Sequence, residues 1–341
     1  MLRLPPFELR SPRTLEEAAE MLAGEGPTTR LVAGGTDLWP NMKRRHQQAR
    51  TVIRLMSIPE LRGISNGGTD GELRIGATTI LDEVASSPAV RDRYPALARA
   101  VASISSPPLR NMGTIGGNLC LDTRCTYYNQ TEDWRRSIDY CMKEAGTVCW
   151  VAPSSPRCWA HSASDSAPML CALDARVRLV SSQGERVVAA ADLFRDDGID
   201  YLAKRSDEIL TEILLPAASA TGNVRSAFWK LRRRGSIDFA VLSVAVAVRC
   251  DAGGRVDDAR IWLGAVGSEP AEATDAAQAL QGRVLDEETI AGAARLARKV
   301  ARPMDNTDFQ AQWRGKMVEV YTSAALKEAA GLDPGVSAPR H

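Results

Sequence analysis

An α+β protein of three units follows from the pattern of this 341-residue chain, and three observations carry it. Residues 1–55 hold one amphipathic helix and two short apolar strands, a small α/β unit. Strands and short helices mix over residues 56–220, around a long patternless stretch at 123–163. Over residues 224–330 alternating strands come first and two long helices last, the order of an α/β sandwich in which a sheet face and helix stripes bury one another. The chain is longer than one ordinary core fills, and its 44% apolar and 25% charged residues are those of a globular protein.

In the first unit Ser11 or Thr14 can cap a helix whose apolar face is Leu15, Ala18, Ala19 and Leu22. Strand Thr29–Val32 follows, then a Gly-Gly turn, then strand Thr51–Leu55. In the second unit Leu73–Ala77 reads as a strand, and Ile80–Ala85, Leu97–Ala102 and Ala167–Ala175 read as helices. Strands Val177–Val180, Arg186–Ala189 and Ile209–Leu215 complete it. A loop of about 40 residues, Thr123 to Ala163, is unusual in a packed domain unless function or a ligand ties it down. The third unit has strands Ser226–Arg232, Val241–Arg249 and Asp258–Gly264, then helices Glu287–Ala301 and Lys316–Ala330. Residues 331–341, rich in Pro, Gly and Ser from Asp333 on, form a flexible tail.

A net charge of +1 with mixed signs leaves no electrostatic footprint for nucleic acid or an anionic membrane. The longest apolar run, Phe239–Val248, is too short for a bilayer and is broken by Ser243, so it reads as a buried strand. The first ten residues place charge and proline where a signal peptide needs its apolar stretch, and seven cysteines argue for reduced thiols over a disulfide framework. The expected location is cytoplasmic. Only three histidines occur, none in a Ser-His-Asp context, and His161 reads as a packing or hydrogen-bonding residue.

Two glycine turns and four cysteines carry the chemistry. In Val32, Ala33, Gly34, Gly35, Thr36, Asp37, Leu38 and Trp39 a Gly-Gly pair directly follows an apolar strand. Gly113, Thr114, Ile115, Gly116, Gly117 and Asn118 offer a second such turn with two hydrogen-bonding side chains. Glycine tolerates positive φ and lets backbone N–H groups converge into a nest for a pyrophosphate, although neither turn has Rossmann G-x-G-x-x-G spacing. Cys125, Cys141, Cys149 and Cys158 are spaced Cys-x15-Cys-x7-Cys-x8-Cys among Tyr127, Tyr128, Trp134, Tyr140, Trp150 and Trp159. Such a set suits an iron–sulfur cluster, structural zinc, or no ligand; zinc usually uses Cys-x2-4-Cys knuckles, which are absent here. Cys120, Cys171 and Cys250 read as small buried residues. The basic run Lys230–Arg234 reads by itself as a solvated strand or turn, with Arg232 to Arg234 as surface or subunit-contact charges.

The turn Ala33-Gly-Gly-Thr-Asp37, the segment Arg110-Asn-Met-Gly-Thr-Ile-Gly-Gly-Asn118 and the pattern Lys230-x4-Gly-Ser-Ile-Asp-Phe239 resemble the FAD-binding medium subunits of the molybdenum hydroxylases, the xanthine dehydrogenase and carbon monoxide dehydrogenase family. The resemblance covers nearly the whole chain. It implies a two-part FAD-binding domain, residues 1–55 and 56–220, followed by a C-terminal domain of the CO dehydrogenase flavoprotein type at 224–330. By matching motif, the FAD pyrophosphate falls on Val32 to Trp39 and on Gly113 to Asn118, the ribose or adenine on Asp122 or Thr123 with Asp165, and the flavin near Lys230.

In ordinary medium subunits the second glycine turn leads almost at once into the helix that here begins near Ser164, which makes residues 123–163 an insertion. The segment Leu119–Gln130 and the later cysteine spacing are similar to one branch, the 4-hydroxybenzoyl-CoA reductases, whose flavoprotein subunit holds a [4Fe-4S] cluster on such an insertion. The resemblance makes Cys125, Cys141, Cys149 and Cys158 its ligands. It also implies a large molybdopterin-binding subunit, a small [2Fe-2S] subunit, ferredoxin as electron donor and a dimer of heterotrimers that reduces 4-hydroxybenzoyl-CoA to benzoyl-CoA. A second branch, the periplasmic aldehyde oxidases, also has a cluster in this subunit. Two alternatives stay open: an oxidative hydroxylase of aldehydes or N-heterocycles, and a zinc-stabilised assembly module without redox function.

Overall fold

The computed structural model describes residues 2–67, 71–217 and 224–336. The first unit runs β1 (Glu8–Arg10), helix Leu15–Gly24, β2 (Thr29–Val32), helix Leu38–Lys43 and β3 (Thr51–Arg54), and its strands form a parallel sheet in the order β1-β3-β2. Helical crossovers make parallel pairing possible. Thr14 is the cap of the first helix, its hydroxyl accepting the Glu17 N–H at 3.1 Å, and Ala18, Ala19 and Leu22 pack on Ile53, Leu55 and Ile58. Leu55 belongs to a 3-10 turn and not to the strand.

The second unit builds an antiparallel sheet, β4-β5-β8-β6-β7, from β4 (Ile64–Gly67), β5 (Glu72–Gly76), β6 (Arg176–Ser181), β7 (Gly184–Ala189) and β8 (Ile209–Leu215). Helices Leu81–Ser86, Pro88–Arg93, Pro95–Ala102 and Ser166–Ala172 pack against it through Val84, Leu97, Val101, Met169 and Leu170. The last of these stops short of Ala175 because Asp174 turns to a φ of 57°. The second glycine turn, read as a turn, runs directly into a short helix, Ile115–Leu119. The 123–163 stretch is not patternless: helix Glu132–Ser137 lies within it, capped by Thr131.

In the third unit β9 (Val224–Leu231), β10 (Leu242–Cys250), β11 (Val256–Gly264) and β12 (Ala271–Glu272) form an antiparallel sheet in the order β12-β11-β10-β9. Alternation sorts its side chains. Phe228, Ala245, Ala247 and Trp262 join the core of the second unit, whereas Trp229, Val244, Val246, Val248, Ile261 and Leu263 face helices Glu287–Val300 and Ala311–Ala330. Burial on both faces explains why β10 reads as a continuous apolar run. That run enters the strand only at Leu242; Phe239, expected inside it, is 41% exposed. The final helix begins at Ala311, earlier than Lys316, because Arg314 breaks the apolar period while being fully buried: its guanidinium donates to the carbonyls of Val241, Ala265 and Met304.

The expected boundary between residues 220 and 224 lies largely outside the described residues, as do residues 337–341 of the tail. Among the described residues no helix is long and apolar enough to cross a membrane.

Candidate cofactor cavity and thiol pocket

The two glycine turns press backbone on backbone. A Cβ added at Gly34 would lie 1.8 Å from the Met112 carbonyl oxygen, so the first turn has no room for a side chain against the second. Gly35 needs its φ of +70°, and a Cβ there would meet the Trp39 indole nitrogen at 2.0 Å. At Gly116 a Cβ would meet Ala77, at 2.7 Å from its Cβ. Thr114 caps helix Ile115–Leu119, accepting the Gly117 N–H at 3.2 Å. Among the described residues the backbone N–H groups of Gly34, Gly35 and Thr36 have no protein acceptor, which leaves them for a ligand.

Between the turns lies a cavity of about 490 Å³. Val32 to Leu38 line it, as do Gly113, Thr114, Gly116, Gly117, Asn118 and Asp122. So do Cys120, Tyr201, Lys204 and Phe239, which no local pattern in the sequence marks and which distant segments deliver to the same wall. Narrow glycine walls and unpaired amides fit a pyrophosphate-bearing cofactor such as FAD.

Five residues expected here do not line the cavity. Trp39 packs under Gly35 and stacks on Phe7, with ring centroids 5.4 Å apart. Ile115 is core. The buried Thr123 hydroxyl donates to the Gly198 carbonyl at 2.5 Å. Asp165 and Lys230 are buried on each other, Oδ2 to Nζ 2.7 Å, and Lys230 also donates to the Ser103 carbonyl at 3.1 Å. Burial pushes the Asp165 carboxyl above its usual range, against the pull of the Lys230 charge, and its Oδ1 has no partner. Asn118 braces the wall, its Oδ1 accepting the hydroxyls of Ser164 and Ser166 at 3.0 and 2.7 Å.

Two carboxylates at the cavity are each held by a cation from residues 123–163. Asp37 pairs with Arg124 and accepts Asn41 Nδ2 at 3.0 Å; burial still raises its carboxyl. Asp122 accepts Lys143 Nζ at 2.8 Å and Gln47 Nε2 at 3.1 Å.

Behind these pairs Cys125, Cys141, Cys149 and Cys158 are all buried and free of disulfides. Cys125, Cys141 and Cys158 share an apolar cluster with Tyr128 and Ala160. Burial pushes Cys125 up to about 11 and Cys158 up to about 12, so these thiols are neutral unless a cation displaces their protons. The Cys158 sulfur accepts the Ala160 N–H at 3.4 Å. Among the described residues no three His, Cys, Asp or Glu side chains converge on the point a single metal ion would occupy. One zinc ion would draw its thiolates to about 3.8 Å from each other, at 2.3 Å from the metal. Four buried thiols drawn from one stretch are a donor set that a four-iron cluster would use, with a backbone N–H already on the Cys158 sulfur. Of the other cysteines only Cys171 is buried; Cys120 and Cys250 are half-buried, because one borders the cavity and the other ends a strand.

Residues 123–163 bond to all three units, to the second through Thr123 and the Gly198 carbonyl. Arg135 donates to the Arg44 carbonyl at 2.6 Å and pairs with Glu132 and Glu144. Arg124 exchanges backbone hydrogen bonds with His161 at 2.9 and 2.8 Å, and Thr126 N–H donates to the Asn306 carbonyl at 2.8 Å. Arg233 and Arg234 form exposed pairs with Asp308 and Asp238.

The FAD binding domain in molybdopterin dehydrogenase matches residues 5–218, and the CO dehydrogenase flavoprotein C-terminal domain matches residues 226–329. The chain is 29% identical to the carbon monoxide dehydrogenase medium chain of Hydrogenophaga pseudoflava, over 96% of this chain and 99% of that one. It is 29% identical to the nicotinate dehydrogenase FAD-subunit of Eubacterium barkeri, over 83% and 82% of the two chains. The solved carbon monoxide dehydrogenase from H. pseudoflava that lacks the Mo-pyranopterin moiety superposes with a TM-score of 0.80 at 29% identity, covering 96% of this chain and 99% of that chain. Quinoline 2-oxidoreductase from Pseudomonas putida 86 gives 0.76 at 25% identity, covering 96% and 98%. With both of its parts matched in order and the glycine-walled cavity in the first, the chain belongs to the FAD-binding medium-subunit family of the molybdopterin dehydrogenases.

Proposed function

We propose that this chain is the electron-transfer subunit of a molybdenum-dependent 4-hydroxybenzoyl-CoA reductase, holding FAD between its glycine turns and a [4Fe-4S] cluster on Cys125, Cys141, Cys149 and Cys158. The observation that carries this reading is the set of four buried cysteines, free of disulfides, on the one stretch 123–163. FAD exchanges electrons singly or in pairs and a cluster passes them one at a time, so the two together supply a relay.

The protein's own residues bind, orient and shield. Gly34, Gly35 and Thr36 offer unpaired amides to the pyrophosphate, and Thr114, Gly116, Gly117 and Asn118 close the other side. Asp122 faces the ribose or adenine; Asp165 and Lys230 act from behind the wall by fixing Ser103, two residues from the cavity-lining Ser105. Burial of the thiols excludes water from the cluster. Relatives are named as a medium chain and as a FAD-subunit, which supports large molybdopterin-binding and small [2Fe-2S] partners here. The proposed assembly is a dimer of heterotrimers with ferredoxin as electron donor.

A second reading has a specific support: relatives are named dehydrogenases or a hydroxylase, so the complex would oxidise its substrate and pass electrons outward through FAD. The deciding experiment purifies the co-expressed complex anaerobically and measures FAD, iron and acid-labile sulfide, then turnover. About four iron and four sulfide assignable to this chain, with benzoyl-CoA formed from 4-hydroxybenzoyl-CoA and reduced ferredoxin, supports the reductase. Oxidation of an aldehyde or N-heterocycle in its place supports the second reading. A complex containing FAD but no cluster on this chain refutes the relay.

A further inference from the structure

We propose that the buried Asp122–Lys143 ion pair is an oriented dipole that sets the difference in reduction potential between the two centres, its carboxylate toward the flavin cavity and its ammonium toward the thiol pocket. This rests on the preceding reading of both sites and adds a function for Lys143, which lies outside either binding set, and a second one for Asp122.

Lys143 lies on the inserted stretch between Cys141 and Cys149, and its side chain is only 5% exposed. Its Nζ donates to Asp122 Oδ1 and Thr123 Oγ1, each at 2.8 Å, and to the Gly198 carbonyl at 2.5 Å. It also sits 5.0 Å from the Tyr128 ring centroid and 5.4 Å from that of Tyr201. These partners place it on a shared wall. Asp122 and Tyr201 line the cavity, whereas Tyr128 packs with Cys125, Cys141 and Cys158, and a Cβ on Gly198 would press to 2.6 Å from Cys158 Sγ.

The two charges act on opposite sides. Lys143 Nζ lies over the Tyr128 ring that packs on Cys125, Cys141 and Cys158, while Asp122 lines the cavity. In a buried, weakly screened setting such a pair acts strongly on nearby charge. An electron added to the cluster approaches the positive end, and one added to the flavin approaches the negative end. The pair therefore eases reduction of the cluster relative to the flavin, using net charge as the lever.

The test uses the co-expressed complex as wild type, Lys143→Gln, Lys143→Arg and Asp122→Asn. FAD and iron are counted first, then both centres are titrated potentiometrically, the cluster by EPR and the flavin by absorbance. Lys143→Gln is expected to make cluster reduction harder by about tenfold in equilibrium constant, 59 mV for one electron, with a smaller flavin shift, and Lys143→Arg to restore it. Asp122→Asn is expected to shift the flavin upward, the opposite sign. Unaltered potentials in a Lys143→Gln complex with full FAD and iron overturn the proposal, as do shifts of the same sign in both charge-removing variants, the mark of general loosening. If Lys143→Gln loses its cofactors, an unshifted flavin in Asp122→Asn overturns it and an upward shift supports it. A wild type lacking iron refutes the relay itself, and the initial stoichiometry separates that failure from the others.

Discussion

Replacing Gly34 by Ala isolates the contact between the glycine turns. Gly34 does not occupy the left-handed region, so alanine brings no backbone penalty of its own. The cost is steric: the new Cβ stands 1.8 Å from the Met112 oxygen and 2.5 Å from its carbonyl carbon, where ordinary contact begins at 3.4 Å. The second turn cannot yield easily. Gly113 N–H is bonded to the Leu109 carbonyl at 2.7 Å, and its own carbonyl accepts Leu81 N–H at 2.9 Å. Overpacking costs about 1–3 kcal/mol, and a clash against restrained backbone belongs at the upper end. If that strain falls on the FAD-bound geometry, affinity drops by about 100-fold at 1.4 kcal/mol per decade. Flavin fluorescence titration of the FAD-stripped complex measures this, with thermal unfolding in the absence of FAD to separate lost affinity from lost stability. Gly24→Ala is the control, since nothing lies within 4 Å of its added Cβ. Wild-type FAD affinity and unfolding temperature in Gly34→Ala would refute the packing argument.

Three further outcomes are expected. Changing Cys125, Cys141, Cys149 or Cys158 singly to Ser abolishes most of the iron bound by this chain, whereas Cys171→Ser leaves it intact; equal iron in all five variants would exclude these ligands. Lys230→Met strands a buried Asp165 carboxylate and destabilises the fold by about 3–5 kcal/mol, and adding Asp165→Leu recovers more than half of that in chemical denaturation; strictly additive losses would show that the pair is not coupled. Burial holds the His161 imidazole at about 4, below the usual 6.5, so protons bind the unfolded chain first. Its stability contribution is complete above pH 6.5 and falls toward pH 4 by roughly 1.4 kcal/mol per unit. Thermal unfolding between about pH 7.5 and 5 should show this slope, flattened in His161→Gln.

Elements with a clear apolar signal were legible before folding: β2 and β8 fall where short apolar runs place them, and helix Leu15–Gly24 buries three of the four residues expected on its apolar face. Elements hidden by an exceptional residue were not. Buried Arg314 disguised the start of the last helix, and glycines disguised Ile115–Leu119. Helix Glu132–Ser137 did leave a signal, a Thr131 cap followed by acidic residues, which the aromatic and cysteine-rich surroundings obscured.

The glycine turns and the four cysteines were likewise visible, because φ preferences and thiol chemistry reside in single residues and their near neighbours. Pairings such as Asp37 with Arg124, 87 positions apart, or Lys230 with Asp165, 65 apart, have no local trace. They exist because three sheets and one inserted stretch close on a common centre. There the energetics of burial choose which charge each carboxylate meets, and this is why Lys230 turned inward to Asp165 while Lys143, unmarked by any motif, came to stand between the cavity and the thiols.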